Sequence, residues 1–145
     1  LQHDGQPLRT ANVKDGYALQ LAVKLGYKVV IISGGISKSV ENRFESLKVK
    51  DVFLGVSNKY VVFEKFLKDN DLKAENIVYM GDDIPDYRVM KEVGVAVCPA
   101  DAVEEIKEIS IYISDKLGGH GCVRDIIEQV LKVQGKWMTE EGFMW

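Results

Sequence analysis

Apolar residues alternate along this chain between short continuous runs and longer stretches in which they recur every three or four positions. The continuous runs, such as Val95 to Cys98, are typical of strands buried on both faces, and the spaced stretches are typical of helices. The predicted strands are 28–32, 51–56, 77–80, 95–98 and 111–113, and the predicted helices are 15–26, 37–47, 59–69, 86–92, 103–109 and 123–133, with Asp15 as the cap of the first helix. Strands that alternate with helices in this way indicate right-handed crossovers, so the sequence predicts a doubly wound α/β domain with a parallel sheet.

Smaller features are predicted at the two ends of the chain. Asp4-Gly5 is a hairpin turn signal and Pro7 restricts the second flank to an edge strand, so a small β-hairpin flap is expected over 1–8. Gly118-Gly119-His120-Gly121 predicts a flexible loop before the last helix. The tail from 136 to 145 holds more apolar side chains than a solvated tail needs.

Composition limits the classes of protein to which the chain can belong. Its 145 residues, 46% of them hydrophobic, suit a single domain with a substantial core. Lysine and arginine number 19 against 22 acids, without long blocks of one sign, which argues against a nucleic-acid or membrane-surface partner. Cys98 and Cys122 stand singly, which favours reduced thiols, and no apolar stretch approaches the roughly 20 residues of a membrane span. A soluble cytoplasmic protein is expected.

Carboxylates cluster after the predicted strand 77–80. Asp82, Asp83 and Asp86 follow Gly81 directly, at the carboxyl end of that strand, where open α/β sheets bind their ligands. Helix N-termini attract acids as caps, and one of the three is expected to have only that role. Three acids exceed the needs of capping, and carboxylate oxygens suit Mg²⁺. The sequence therefore predicts a Mg²⁺ site with Asp82 as the direct ligand and Asp86 as a group that orients a bound water or a neighbouring lysine.

Two other predicted strands end in groups suited to an anion. Ser33-Gly34-Gly35 offers a hydroxyl and backbone N–H groups before a helix, which resembles a phosphate cradle but also fits an ordinary turn. Lys59 begins the helix after the strand 51–56. A cation at a helix N-terminus works against the helix dipole, so an anionic partner for Lys59 is expected.

Together these segments resemble the second, third and fourth motifs of the haloacid dehalogenase superfamily of phosphatases, in the same order and at the same strand ends. More narrowly, the chain resembles the 3-deoxy-D-manno-octulosonate 8-phosphate (KDO 8-phosphate) phosphatases. That likeness rests on Asn12-Val13-Lys14-Asp15-Gly16-Tyr17, on Ser57-Asn58-Lys59 and on Gly118-Gly119-His120-Gly121-Cys122-Val123-Arg124.

The resemblance implies a Mg²⁺-dependent phosphoric monoester hydrolase without a cap domain, acting in lipopolysaccharide synthesis. An aspartate would attack phosphorus, and water would hydrolyse the aspartyl phosphate with a second aspartate as acid and base. By motif position, Asp82 would bind Mg²⁺, and Ser33 and Gly34 would hold phosphoryl oxygens. Lys59 would balance negative charge, and Asp86 would orient the neighbouring groups without binding the metal itself.

The resemblance also implies a homotetramer in which neighbouring subunits close each site. His120 and Arg124 are candidates for closing a neighbour's pocket, and Arg43 is a candidate for contacting the carboxylate of the substrate. Gly35 stands where relatives often carry a charged residue. This leaves open a related nine-carbon keto-sugar acid phosphate as the substrate, although glycine mildly favours the eight-carbon acid.

The family's first motif, Asp-x-Asp-Gly on the first central strand, does not occur in this sequence. It supplies the nucleophile, so the chain alone is expected to be inactive. Loss of about 20 residues that carried that strand is the favoured explanation, because a central strand missing from a parallel sheet leaves backbone groups unpaired at about 1 to 3 kcal/mol each.

Two other interpretations remain open from the sequence. One is a non-catalytic tetramerisation module, such as the tail domain of an acylneuraminate cytidylyltransferase, which would bind phosphate without hydrolysing it. The other is a response-regulator-like receiver, which also places aspartates and a lysine at strand ends. The receiver is disfavoured because paired acids are missing at the first strand and the Gly81 to Asp86 pattern comes late in the chain.

Overall fold

Five short strands and six α-helices alternate through residues 10–145, the part of the chain that a computed structural model describes. The predicted hairpin at 1–8 lies outside these residues. The strands are β1 (Val30–Ile32), β2 (Asp51–Phe53), β3 (Val78–Met80), β4 (Val95–Cys98) and β5 (Tyr112–Ile113). The helices are α1 (Val13–Lys24), α2 (Lys38–Ser46), α3 (Lys59–Asp69), α4 (Tyr87–Glu92), α5 (Glu104–Ile109) and α6 (Cys122–Val133). Short 3₁₀ turns occupy Ala74–Asn76, Ile84–Asp86 and Glu140–Phe143.

The first helix begins earlier than the sequence predicted. Asn12 caps it, and its side-chain oxygen accepts a hydrogen bond from the Asp15 N–H at 3.0 Å. The expectation that Asp15 is the cap was therefore wrong. Its buried carboxylate instead accepts a 2.8 Å hydrogen bond from the backbone N–H of Arg124, in the first turn of α6. Because both helices start at this contact, α1 and α6 begin at the same end of the molecule.

All the strand pairs are parallel, as predicted, but they form two separate sheets. β1 pairs with β2 in the register Val30 to Asp51, and β4 pairs with β3 on one side and β5 on the other. The helices form two groups, with α1 against α6 and α4 against both α3 and α5. This is the doubly wound α/β arrangement that alternating strands and helices predict.

A cleft separates the two sheets where a continuous sheet would have one more strand. The facing edges of β1 and β3 line it along their whole length, and its volume is about 720 Å³. Apolar side chains of three helices close its faces: Leu19 and Ala22 from α1, Phe63, Phe66 and Leu67 from α3, and Val123, Ile126, Ile127, Val130 and Leu131 from α6. Within residues 10–145, the edges of β1 and β3 that face the cleft have no partner strand.

The cleft also explains a prediction that was wrong. The runs 28–32 and 77–80 were expected to be fully buried, but β1 is only half-buried and Val78 is 42% exposed. By contrast, β4 lies between two strands, and Ala96, Val97 and Cys98 are buried there. Exposure of β1 and β3 therefore follows from their position at the cleft and not from their composition.

None of the helices between residues 10 and 145 is long and apolar enough to cross a lipid bilayer.

Candidate active site

The carboxylate of Asp86 is the centre of the site. Its Oδ1 accepts hydrogen bonds from Lys59 Nζ and from the Tyr79 hydroxyl, each at 2.7 Å, while Oδ2 accepts from the backbone N–H groups of Asp82 at 3.1 Å and Asp83 at 3.5 Å. Asp86 is 2% exposed. Although it is buried, charged and dipolar donors occupy both of its oxygens, so neither is left without a hydrogen-bond partner.

The Lys59 and Asp86 pair links two crossovers of the fold. Lys59 is the first residue of α3, after β2, and Asp86 ends the turn after β3. Their side chains are 18% and 3% exposed, so the pair lies largely out of water. Removing one partner of such a pair leaves a buried charge, which costs about 3 to 5 kcal/mol. The anionic partner of Lys59 in this structure is the carboxylate of Asp86, which agrees with the prediction that Asp86 orients a neighbouring lysine.

Asp82 presents the exposed carboxylate of the site. It lines the cleft beside Lys59 and Asp86, and its own carbonyl accepts a 3.0 Å hydrogen bond from Val103 N–H, which fixes its backbone. Partial desolvation raises the pKa of Asp82, and the nearby Asp86 carboxylate adds to the rise while Lys59 opposes it. A bound cation would relieve this disfavoured charge, and a proton would compete with the cation at a higher pH than at an ordinary aspartate.

The neighbouring Asp83 has a different role. Its Oδ1 accepts a 2.8 Å hydrogen bond from the Ile84 N–H, and it caps the turn Ile84–Asp86. Asp83 is thus the acid of the cluster that acts as a cap. Across residues 10–145 no group of three His, Cys, Asp or Glu side chains surrounds a common point. Mg²⁺ commonly takes only one or two protein carboxylates together with waters and substrate phosphate, so Asp82 fits it as one ligand of an incomplete set.

The Ser33-Gly34-Gly35 turn is held in an open conformation. Ser33 Oγ accepts from the Gly35 N–H at 3.2 Å, and Gly55 and Val56, after β2, donate to the carbonyls of Gly35 and Ser33. A Cβ at Gly34 would meet only the Val56 carbonyl, at 3.5 Å. The Gly34 backbone is exposed, so an anion can approach its N–H where β1 ends.

Gly81 is required by the close approach of Asp86. A Cβ on Gly81 would lie 2.5 Å from Asp86 Cβ and 2.7 Å from Met90 Sδ. We expect Gly81→Ala to cost about 1 to 3 kcal/mol of unfolding free energy, because the methyl group overpacks the site and displaces the Asp86 carboxylate. Urea unfolding measures this loss.

Gly34→Ala is the matched control for that variant, because its added methyl group makes only an ordinary contact. Its unfolding free energy should stay within about 0.5 kcal/mol of the unsubstituted chain. Equal losses in the two variants would contradict the packing explanation for Gly81.

The glycine-rich loop borders the same end of the cleft. Gly118 and Gly119 line the cleft, and the Gly118 N–H donates to Asp101 Oδ1 at 2.8 Å. His120 is exposed, and its Nδ1 lies 2.9 Å from the Gly118 carbonyl. The imidazole therefore contacts its own loop, and among the described hydrogen bonds it has none to Asp82 or Lys59.

Two predicted arginines have partners within this chain. The Arg124 guanidinium stacks on the rings of Tyr17 at 5.4 Å and Trp137 at 4.9 Å, and Nη2 lies 3.6 Å from Glu128 Oε1. Arg43, on α2, packs against Gly16 of α1. Neither contact includes the acidic cluster, so the site proper consists of Lys59, Asp82 and Asp86. The Ser33 turn follows β1, which pairs in parallel with β2, the strand that precedes Lys59, so the turn lies at the same end of the sheet.

The described residues contain no evident nucleophile at the site. The chain's single Asp-x-Asp spacing, Asp69-Asn70-Asp71, lies at the far end of α3, where Asp69 pairs with Lys65 and Asn70 contacts Lys28. Cys122 is buried, and desolvation raises the pKa of its thiol, so it stays protonated. These groups cannot replace an aspartate that faces Lys59 and Asp82.

Comparison with known proteins gives consistent matches. The family model of haloacid dehalogenase-like hydrolases matches residues 52–126. The 3-deoxy-D-manno-octulosonate 8-phosphate phosphatase of Escherichia coli K12 is 36% identical over 140 residues, which cover 97% of this chain and 74% of that protein. The enzyme of the same name from Yersinia pestis is 32% identical over 134 residues, 92% of this chain and 72% of that protein.

Solved structures of similar proteins have the same fold. The 3-deoxy-D-manno-octulosonate 8-phosphate phosphatase of Moraxella catarrhalis, in complex with a magnesium ion, a phosphate ion and KDO, matches with a TM-score of 0.90 and 29% identity. The match covers 94% of this chain and 78% of that one. A cobalt-bound form of the Haemophilus influenzae phosphatase matches with a TM-score of 0.90 and 27% identity, covering 99% of this chain and 85% of that one.

Proposed function

Because this chain belongs to the haloacid dehalogenase-like hydrolases, we propose that it is a Mg²⁺-dependent phosphatase whose substrate is 3-deoxy-D-manno-octulosonate 8-phosphate. The observation that carries the proposal is the buried Lys59 and Asp86 pair directly behind the exposed Asp82, at the same end of the fold as the Ser33 turn. A phosphoryl group there would meet an ammonium, a hydroxyl and a free backbone edge. The alternative of a non-catalytic module is not favoured, since the relatives that match over most of the chain are phosphatases.

Each site residue has a distinct part in this proposal. Asp82 would hold Mg²⁺, which neutralises charge on the phosphate when it is bound. Lys59 would place its ammonium against the phosphoryl oxygens and the attacking carboxylate, with Asp86 fixing its position. The Ser33 hydroxyl and the Gly34 N–H would hold the remaining phosphoryl oxygens at the end of β1.

We propose that the attacking carboxylate is carried by an extended strand in the cleft between β1 and β3. Those two edges present unpaired backbone groups, and the surrounding helix side chains are apolar, as an inserted strand requires. A strand parallel to β1 would end beside Lys59 and Asp82. That is also the end at which α1 begins, so a short connection could lead from such a strand into α1.

The reaction on that strand proceeds by two displacements. A carboxylate oxygen attacks phosphorus, the bond from phosphorus to the sugar oxygen breaks, and a second carboxyl group on the strand gives its proton to the leaving alcohol. That group, now ionised, takes a proton from water. The water attacks phosphorus, the aspartyl phosphate is hydrolysed, and inorganic phosphate leaves.

The proposal extends to the setting of the enzyme. We propose a homotetramer, which is supported by apolar side chains in the tail that a partner subunit could cover. We also place the enzyme in the cytoplasm, which the free thiols favour, and its substrate implies a role in lipopolysaccharide synthesis. Met138, Phe143, Met144 and Trp145 are each more than half exposed, and both cysteines are free thiols. Since Arg124 is engaged by its own chain, His120 is the stronger candidate for closing a neighbouring site, and Arg43 remains a candidate for the substrate carboxylate.

Substrate choice tests the proposed function. Phosphate release should be measured with Mg²⁺ on the eight-carbon substrate, on a nine-carbon keto-sugar acid phosphate and on p-nitrophenyl phosphate, using the chain fused to a strand that ends in Asp-x-Asp-Gly. We expect the highest kcat/KM for the eight-carbon substrate, because binding energy from its sugar acid is used in the transition state. Equal kcat/KM for the eight-carbon substrate and p-nitrophenyl phosphate would contradict the substrate assignment.

A further inference from the structure

Tyr79 is the one side chain of β3 that reaches the centre of the site, as far as the described contacts show. Its hydroxyl donates to Asp86 Oδ1 at 2.7 Å, beside the Lys59 ammonium, which donates to the same oxygen. The shared oxygen leaves Oδ2 free to accept from the backbone N–H groups of Asp82 and Asp83. The phenol is therefore connected to the metal-binding segment through a single carboxylate.

The position of the phenol is itself fixed. Tyr79 pairs with Ala96 in the ladder of β3 and β4, and its ring packs edge-to-face on Phe63 with centroids 6.5 Å apart. Burial, with the charge of Asp86 as a second cause, raises the pKa of the phenol well above its ordinary value. The hydroxyl thus stays protonated and acts as a donor to Asp86.

We propose that Tyr79 is a positioning residue that sets the orientation of the Asp86 carboxylate and, through it, the backbone that directs Asp82 into the cleft. Lys59 alone would not suffice, because its long stem can follow a rotating carboxylate, whereas the ring of Tyr79 is held by the sheet and by Phe63. This inference rests on the proposed Mg²⁺ site for its consequence, but the geometry that it describes exists without the metal.

Tyr79→Phe removes the hydroxyl and keeps the ring. In ¹H–¹⁵N spectra of the chain without metal, we expect the amide signals of Asp82 and Asp83 to shift or broaden, because Asp86 Oδ2 no longer stays in place. Titration calorimetry with MgCl₂ should show that the affinity for Mg²⁺ falls by about tenfold. A loss of this size is typical when a residue that orients a metal ligand through hydrogen bonds is removed.

Tyr112→Phe is the matched control. It removes another tyrosine hydroxyl that donates to an aspartate, the 2.9 Å contact with Asp125 Oδ2, outside the acidic cluster. This variant should leave both the amide signals of Asp82 and Asp83 and the Mg²⁺ affinity unchanged.

The outcomes separate the two proposals. Unchanged amide signals of Asp82 and Asp83 in Tyr79→Phe would overturn the positioning role, whether or not the metal binds. Changed signals in Tyr79→Phe together with no Mg²⁺ binding by the unsubstituted chain would support the positioning role and count against the metal site. Equal Mg²⁺ affinities in Tyr79→Phe and in an unsubstituted chain that does bind Mg²⁺ would overturn the proposed effect on the metal.

Discussion

Fusing an apolar strand that ends in Asp-x-Asp-Gly ahead of Leu1 should raise the midpoint of thermal unfolding by about 10 °C. The strand would pair with both free edges of the cleft and cover the half-buried faces of β1 and β3. Each buried aliphatic side chain contributes about 1.5 to 3 kcal/mol, and ordering each residue costs about 1 to 2 kcal/mol, so several buried side chains together leave a net gain of a few kcal/mol. For a domain of this size, each kcal/mol shifts the midpoint by about 2 to 4 °C.

Hydrogen exchange locates the effect. Amides of Val30, Ile32, Val78 and Met80 should become protected in the fusion. They face the cleft because amides alternate between the two edges of a strand, and the Ser33 and Gly81 N–H groups donate to β2 and β4. A control fusion of the same length, with prolines at alternate strand positions, cannot complete the ladders and should give no protection. A fusion that is neither more stable nor more protected than this control would show that the cleft does not accept a strand.

Asp82→Ala should abolish Mg²⁺-dependent phosphate release by the chain that carries the added strand. It should also weaken Mg²⁺ binding by more than about a hundredfold, which is a larger loss than is typical for a residue that only orients a metal ligand. Stability should not fall. The raised pKa of Asp82 means that the folded chain disfavours its charge, so above the ordinary aspartate pKa this ionised group lowers stability, and the variant relieves that effect. Calorimetric Mg²⁺ titration and thermal unfolding measure the two effects separately.

Asp83→Asn is the control for that variant. Asparagine keeps an oxygen that can accept from the Ile84 N–H, so the cap of the turn is retained while one charge is removed. We expect a loss of affinity of less than about tenfold from the weaker local field. If Asp83→Asn weakened binding as much as Asp82→Ala, Asp82 would not be the direct ligand.

The order of the elements could be predicted, and a candidate site could be proposed, because both depend on local sequence. The helix from Lys59 to Asp69 and the strand from Val95 to Cys98 occur where the apolar pattern placed them. Parallel strands bring their carboxyl ends to one edge of a sheet, so the sequence alone assigns the Ser33 turn, Lys59 and Asp82 to one region.

Contacts between distant segments could not be predicted in the same way. Asp15 was expected to cap its own helix, but its carboxylate meets the Arg124 N–H, 109 positions away. Tyr79 gave only a weak signal, a hydroxyl within an otherwise aliphatic strand, and nothing in the sequence showed that Asp86 would accept it. The partial exposure of β1 was missed because composition does not reveal which strands are adjacent.

The most direct test of the central claim compares two fusions that differ only in the added strand, one ending in Asp-x-Asp-Gly and the other in Asn-x-Asn-Gly. Both should fold with the cleft filled, as hydrogen exchange would verify. With the eight-carbon substrate, the first should release phosphate in Mg²⁺ and stop when the metal is chelated, while the second should remain at background. A folded, Mg²⁺-binding Asp-x-Asp-Gly fusion that releases no phosphate, or equal release by the two fusions, would contradict the claim that the site lacks only the carboxylates of that strand.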